Sequence, residues 1–135
     1  MNERQKKALR AVVAIVLAGG RDVRSAELAE TLGMSRESVY QLLLPLVREG
    51  LVIAGRGRTG GYRGTADLAQ RSAAEILAPF AGRVPGGAEG HGGPPWVDEL
   101  QDRARAAAER VYEAVRVADL VEAARRSRGT PDWQI

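Results

Sequence analysis

The sequence contains no cysteine, and this absence removes a whole group of chemistries. Without thiols the chain cannot form disulfides, use a thiolate nucleophile, or hold zinc or an iron–sulfur cluster through cysteine. His91 is the single histidine, whereas metal sites usually need three or four protein ligands. Metal binding by His91 with Glu89 is therefore a minor alternative to an ordinary surface position. The sequence predicts no cofactor and no catalytic residue.

Aromatic side chains and long apolar runs are also scarce. Aromatic residues make up 4% of the chain, so Ala, Leu and Val must fill the core, which favours helices over a β-sandwich. The apolar run over residues 11–18 is far shorter than the roughly 20 residues that cross a bilayer, and the polar start does not fit a signal peptide. A length of 135 residues allows one compact core with an appendage. We expect a soluble cytoplasmic protein.

Positive charge is concentrated in the first half of the chain. Residues 1–64 contain 11 Lys and Arg against 6 Asp and Glu, a net charge of +5. Residues 65–135 contain 9 Arg against 11 acidic side chains, a net charge of −2. The basic half is the natural candidate to bind a polyanion, although charge alone is also compatible with an ordinary solvated surface.

Apolar periodicity and glycine stops predict helices over residues 2–18, 25–32, 36–49 and 73–77. Ser25, Ser35 and Ser72 are predicted N-caps of the second, third and fourth helices, because a serine hydroxyl can accept a hydrogen bond from the free amides of the first turn. Gly33 ends the second helix, since glycine tolerates the left-handed conformation. Two short helices with a tight turn between them are typical of a helix-turn-helix, whose second helix enters the major groove.

A basic hairpin follows these helices. A β-branched run and a glycine-rich turn occupy residues 51–61, and Tyr62 and Arg63 begin the return strand. Glycine lets the turn approach the sugar-phosphate backbone, and Arg56 and Arg58 are attracted to a narrow minor groove. A helix, a helix-turn-helix and a basic hairpin in this order predict a winged helix that binds DNA.

DNA contacts are predicted from the helix-turn-helix and from the hairpin. Gln41 and Arg36 are candidate base-reading residues, because glutamine pairs with adenine and arginine with guanine through two hydrogen bonds. Serines at helix N-termini can bind phosphate or only cap the helix. Tyr40 either stacks on DNA or covers the helix near Pro45. The predicted set is Arg24, Ser25, Ser35, Arg36, Glu37, Ser38, Tyr40, Gln41, Arg56, Arg58, Thr59, Tyr62 and Arg63.

The last third of the chain reads as a loop and a long helix. Glycine and proline supply nine of the fourteen residues 82–95, which predicts a flexible loop between a DNA-binding domain (1–81) and a dimerisation helix with its tail (96–135). The apolar stripe of that helix comprises Trp96, Leu100, Ala104, Ala107, Val111 and Val115. A second copy would bury this stripe; the wall of an effector pocket or intrachain core is the alternative.

Several segments resemble the Rrf2 family of winged-helix transcription regulators. They are residues 33–35, 39–43, 46–52, 57–62, 72–82, 96 and 117–120. The Gly60-Gly61-Tyr62 sequence of the hairpin is the most specific of them. The resemblance implies a homodimer held by the C-terminal helix, with two recognition helices on a two-fold DNA site.

The sequence departs from the family pattern in two places. Members often hold an iron–sulfur cluster through three cysteines in the region that matches residues 82–95, and this chain has none. The usual form of cluster sensing is therefore excluded. Many members have Tyr-Leu-Glu-Gln where this chain has Ser38-Val39-Tyr40-Gln41, so its base preference should differ.

The sequence thus predicts a mainly α protein with a small β-hairpin wing, in which a winged helix-turn-helix precedes a long C-terminal dimerisation helix. The predicted function is that of a bacterial, sequence-specific transcription regulator, a repressor that acts as a homodimer and is not an enzyme. Its predicted partners are double-stranded DNA and a second copy, with a small-molecule effector left open and no membrane. The alternative is a winged helix used for protein–protein contact, against which the arginines of the hairpin argue.

Overall fold

The computed structural model describes residues 1–55, 60–82 and 93–128 of the chain. Within these ranges it contains six α-helices and three short strands. They are α1 (Glu3–Leu17), β1 (Val23–Arg24), α2 (Ser25–Leu32), α3 (Arg36–Arg48), β2 (Val52–Ala54), β3 (Gly61–Gly64), α4 (Ala73–Leu77), α5 (Pro95–Ala114) and α6 (Val117–Arg128). Short 3₁₀ turns at Leu68–Gln70 and Ala78–Phe80 flank α4. The predicted fold class is confirmed.

Side-chain caps define where two of these helices begin. The Asn2 side chain accepts a hydrogen bond from the Gln5 amide at 2.8 Å, and the Gln5 side chain accepts one from the Asn2 amide at 2.9 Å. At α4, Ser72 accepts from the Glu75 amide at 3.2 Å, and the Glu75 carboxylate accepts from the Ser72 amide at 2.8 Å. Each pair is a capping box, which satisfies two otherwise unpaired backbone donors.

The sheet has three antiparallel strands in the order β1-β3-β2. Strand β3 lies in the centre, with Tyr62 opposite Val23 on one side and opposite Ala54 on the other. The sequence predicted the β2–β3 hairpin but not β1. Gly61 allows β1 to approach, because a Cβ at this position would lie 2.5 Å from the Val23 carbonyl oxygen.

The core surrounds α1, whose buried residues are Ala8, Ala11, Val12 and Ile15. Helices α2, α3, α4 and α6 pack against it. Val117 and Val121 of α6 are buried in the same cluster, so the chain returns to this core after α5. The division at residues 81 and 96 stays a prediction, and α6 shares the core of the N-terminal segment.

In the described parts of the chain, no helix has the length and apolar character needed to cross a bilayer.

Helix α5 ends at a corner that is fixed to the body. Val115 leaves the helix in an extended conformation (φ −91°, ψ 125°), and its carbonyl accepts from the Ala73 amide at 2.8 Å. The Val117 amide donates to the Arg71 carbonyl at 2.9 Å. The helix thus ends one residue before Val115, which is its C-cap, and the place of Val115 in the dimerisation stripe stays a prediction.

Candidate nucleic-acid interface

A closed turn joins α2 to α3. Gly33 adopts the left-handed conformation (φ 65°, ψ 42°). Its amide donates to the Glu30 carbonyl at 3.3 Å, and the Met34 amide donates to the Ala29 carbonyl at 3.0 Å. This pair of hydrogen bonds is a Schellman motif, which satisfies the last carbonyls of a helix. The predicted glycine stop is confirmed, and the turn delivers the chain directly to Ser35.

Ser35 caps α3 as predicted. Its hydroxyl oxygen accepts from the Ser38 amide at 3.1 Å and donates to the Ser38 hydroxyl at 2.9 Å. Free amides and the positive end of the helix dipole remain at this N-terminus, an arrangement that favours phosphate. Capping and phosphate binding are compatible at Ser35, since the cap uses one amide of the first turn.

Helix α3 has one buried and one exposed face. The buried face comprises Val39, Leu42, Leu43 and Leu46. The exposed residues include all the predicted DNA contacts of this helix, namely Arg36, Glu37, Ser38, Tyr40 and Gln41. The Tyr40 side chain is 50% exposed, and the Gln41 amide donates to Glu37 at 3.5 Å. The structure therefore places the predicted base-reading residues on one surface.

The outer face of the sheet carries two cations. Side chains of a strand alternate between its faces, so Arg24 and Arg63 point away from the buried Val23 and Tyr62. Neither arginine forms an ion pair with any described residue. Ile53 lies opposite Arg63 and is 40% exposed. This outward residue is not among the predicted contacts, although the alternation of side chains along the hairpin identifies it.

Tyr62 is buried, and Ser25 does not cap its helix. Tyr62 is only 7% exposed. Burial raises the pKa of its phenol, and a hydrogen bond with the Ser25 hydroxyl opposes that rise. Ser25 is the first residue of α2, whose N-cap is Arg24 without a side-chain cap hydrogen bond. The prediction that Ser25 caps α2 was wrong. Tyr62 belongs to the hydrophobic core, and the DNA contacts predicted for Ser25 and Tyr62 stay predictions.

Some predicted positions lie outside the described residues. They are Arg56, Arg58 and Thr59 of the hairpin turn, and Glu89 and His91 of the glycine-rich segment. Within the residues that the structure describes, no three His, Asp or Glu side chains come close enough together to hold a metal ion.

The fold and the exposed face of α3 define a winged-helix transcription regulator. The profile of the Rrf2 family, described as "Iron-dependent Transcriptional regulator", matches residues 1–123. The chain belongs to the Rrf2 family. It is therefore a DNA-binding regulator and not an enzyme.

Solved structures share this fold at low sequence identity. CymR of Staphylococcus aureus is 22% identical, with a TM-score of 0.76 over 90% of this chain and 97% of that one. CymR (YrzC) of Bacillus subtilis, called the global cysteine regulator, is 24% identical, with a TM-score of 0.74 over 90% and 95%. IscR of T. potens is 18% identical, with a TM-score of 0.77 over 98% and 93%. Among curated proteins, none matches the chain at a significant level.

The donor groups of this chain do not fit a cysteine-held iron cluster. The family description names iron, but the sequence has no thiol. In residues 1–55, 60–82 and 93–128, no cluster of His, Asp and Glu replaces the missing ligands.

Proposed function

We propose that the protein is a repressor that binds a specific, two-fold DNA site as a homodimer. The exposed face of α3 carries this proposal, because Arg36, Tyr40 and Gln41 lie together on it beside a capped N-terminus. Such side chains can pair with base edges, while the helix amides bind phosphate. A dimer bound across a promoter would exclude polymerase. The similarity to regulators from S. aureus and B. subtilis supports a bacterial, cytoplasmic setting, where such a protein meets the chromosome.

Phosphate contacts are proposed for the sheet. Arg24 and Arg63 are exposed and unpaired among the described residues, so DNA phosphates can bind them without breaking an existing ion pair. The residues predicted at the hairpin turn, Arg56, Arg58 and Thr59, would extend the same surface. Each neutralised phosphate releases counterions, so binding should weaken steeply as salt rises.

The homodimer is proposed from α5. This helix has 20 residues and none of them is buried, and its length is about 30 Å. Trp96, Leu100 and Val111 are 69%, 62% and 59% exposed. Exposed apolar stripes of this size mark interfaces. A two-fold partner would bury the stripe and space two recognition helices one DNA turn apart, about 34–36 Å.

We further propose that the protein uses no iron or iron–sulfur cofactor. The missing thiols support this, and a small-molecule effector is the alternative signal. Protein purified without oxygen should have no cluster absorption and no stoichiometric iron or sulfide by elemental analysis. Stoichiometric iron would overturn the proposal and direct attention to Glu89 and His91.

The test of function is selection of bound sequences from random DNA, which should return a two-fold site. Gln41→Ala should then weaken binding to that site by about 1–3 kcal/mol, because one base contact is lost, with little change on random DNA. Fluorescence anisotropy titrations measure both affinities. Gln70→Ala is the matched control, because Gln70 is exposed and lies outside α3, the sheet and α5, and it should change neither. Equal losses on both DNAs would show that Gln41 positions the helix without reading bases.

Repression has its own readout. Transcription from a promoter that contains the selected site should fall when the protein is added to purified polymerase. A rise in transcript would identify an activator instead.

A further inference from the structure

A small cleft of about 220 Å³ lies where the end of α6 meets β1 and α2. Its apolar walls include Leu17 of α1, Val23 of β1 and Leu28 of α2. The charged side chains of Arg21 and Arg128 also line it. The cleft is smaller than the roughly 300–1,000 Å³ of most small-molecule pockets. It is therefore better suited to one large side chain than to a free ligand.

The two arginines of the cleft differ in their partners. The Arg21 guanidinium donates to both oxygens of the Glu27 carboxylate, at 3.2 Å and 3.3 Å. Arg128 forms no ion pair or hydrogen bond with any residue in the described parts of the chain. A guanidinium attracts a carboxylate and also the face of an aromatic ring. The cleft thus fits an aromatic side chain that has an acidic residue beside it.

The seven residues that follow Arg128 contain such a pair. Their sequence is Gly129-Thr130-Pro131-Asp132-Trp133-Gln134-Ile135, and they lie outside the described residues. Segments that stay free in solution have few aromatic and β-branched residues. This short segment nevertheless contains a tryptophan and an isoleucine, and its carboxylate directly precedes the indole. Its composition therefore indicates a segment that binds an apolar surface.

The segment is attached at the cleft and is long enough to enter it. Arg128 lines the cleft, and Trp133 follows five residues later, a separation that an extended chain covers over up to about 16–18 Å. A glycine directly after a helix, with a proline two residues further on, favours a helix end. The sequence therefore predicts that the chain leaves the axis of α6 after Arg128. Attachment also gives the segment a high effective concentration at the cleft of its own chain.

We propose that Trp133 docks in this cleft of its own chain and that Asp132 pairs with Arg128. The indole packs against Leu17 and Leu28, and the docked segment connects α6 to β1 and α2. Helix α2 packs against the recognition helix α3, so this contact holds the helix-turn-helix against the end of the chain. The inference goes beyond the proposed function, because a single chain can form the contact without DNA and without a second copy.

Tryptophan fluorescence tests the contact directly. The chain has two tryptophans, Trp96 and Trp133, so Trp96→Phe leaves Trp133 as the single reporter. Its emission should lie at shorter wavelengths in the folded protein than in the urea-unfolded chain, and acrylamide should quench it less. Both values should stay constant on dilution, because a contact within one chain does not depend on concentration.

A bulkier side chain in the cleft should expel the indole. Thr31 is exposed on α2 and lines the cleft, so Thr31→Phe should shift the Trp133 emission to that of the unfolded chain. Glu30→Phe is the matched control, because Glu30 is the exposed neighbour of Thr31 and does not line the cleft. It should leave the emission unchanged. Far-UV circular dichroism would verify that both variants fold.

A charge exchange tests the ion pair. Arg128→Glu should lower the ratio of docked to free segment about fivefold, the upper range for an exposed ion pair, and Asp132→Arg should do the same. The double variant should restore docking, because opposite charges again face each other. Arg125→Glu makes the same charge change on α6 outside the cleft, and it should not alter the ratio.

The outcomes are distinct. A Trp133 emission equal to that of the unfolded chain overturns the inference. An emission that approaches this value on dilution would place the segment in the cleft of a second copy and would overturn the contact within one chain. A buried indole that responds neither to Thr31→Phe nor to the charge exchange would show that the segment docks elsewhere, which also contradicts the inference. None of these results changes the selected DNA site or the homodimer, so the proposed function is tested separately.

Discussion

Gly61 shows how a single missing side chain organises the sheet. A Cβ there would lie 2.5 Å from the carbonyl oxygen and 2.8 Å from the carbonyl carbon of Val23. Both contacts are with backbone, so no rotation of a side chain could relieve them. The two residues of β1 pair with β3 only because Gly61 leaves this space. Gly61 of the Gly60-Gly61-Tyr62 sequence therefore has a structural role, in addition to lying beside the hairpin turn.

Gly61→Ala should destabilise the protein by about 1–3 kcal/mol, the usual cost of forcing an extra carbon into a packed site. Urea denaturation followed by circular dichroism measures the change. Gly93→Ala is the control, because nothing lies within 4 Å of the added carbon there, and it should stay within about 0.5 kcal/mol of wild type. Equal stability of the two variants would contradict the close approach of β1.

Arg63 is exposed on the outer face of the sheet, where its charge is accessible to a DNA phosphate. Arg63→Ala should weaken binding to all DNA sequences and reduce the salt dependence, log K against log [salt], by about one unit, because one phosphate contact is lost. Anisotropy titrations at several salt concentrations measure this slope. Arg125→Ala is the control, since Arg125 lies on α6 at 3.9 Å from Glu122. An unchanged slope for Arg63→Ala would reject the sheet as a phosphate-binding surface.

Among the elements, α4 depends on a charged cap. Hydrogen bonding from the Ser72 amide, and the nearby Arg71 guanidinium, hold the pKa of Glu75 below its ordinary value of 4.5. A carboxylate with a lowered pKa in the folded state stabilises the fold above its unfolded pKa. That contribution is lost as pH falls through the folded pKa, because the unfolded chain binds the proton first.

Glu75→Gln should therefore lower stability at neutral pH, and the difference from wild type should shrink as pH falls below about 4.5. Urea denaturation from pH 7 to pH 3 gives this comparison. Glu109→Gln is the control, because Glu109 is exposed on α5 and no capping bond involves it. A difference that stays constant with pH would show that the charge of Glu75 does not contribute.

Helices with an apolar periodicity of their own could be predicted from the sequence. Features that depend on hydrogen bonds between residues far apart in the chain could not. Apolar spacing and the serine caps identified α3 and α4 correctly. Strand β1 has two residues, too few for alternation, and depends on β3 for its hydrogen bonds. Ser25 fits a cap by type, but it is the first residue of α2, and the N-cap position falls on Arg24. Val115 fits the helical stripe, yet Ala73 holds it in an extended conformation.

For the whole molecule, α5 should decide the oligomeric state. Leu100→Asp together with Val111→Asp should give a monomer that loses specific DNA binding, because two charges would enter the buried stripe. Both side chains are exposed in the single chain, so folding should be retained. Sedimentation and binding to the selected site measure the two effects. A wild-type monomer at micromolar concentration that still binds a palindromic site without cooperativity would contradict this prediction.

The DNA-binding site was partly predictable from the sequence. The exposed face of α3 followed from a 3.6-residue period within one helix, and the structure brings those residues together. The apolar groove between α1 and α6, lined by Leu9, Thr31 and Leu120 among others, could not be predicted, because three segments far apart in sequence build it.

The corner between α5 and α6 also makes the motion of the long helix measurable. The Ala73 and Val117 amide protons are held at that corner by carbonyls of Val115 and Arg71. These protons exchange with solvent only when the corner opens, so their exchange rates report its local free energy. Slow exchange would mean that α5 and the DNA-binding part of the chain move together as one rigid body. Fast exchange at these two amides, with a protected core, would mean that the corner is a hinge. The second subunit of the dimer would then set the orientation of α5.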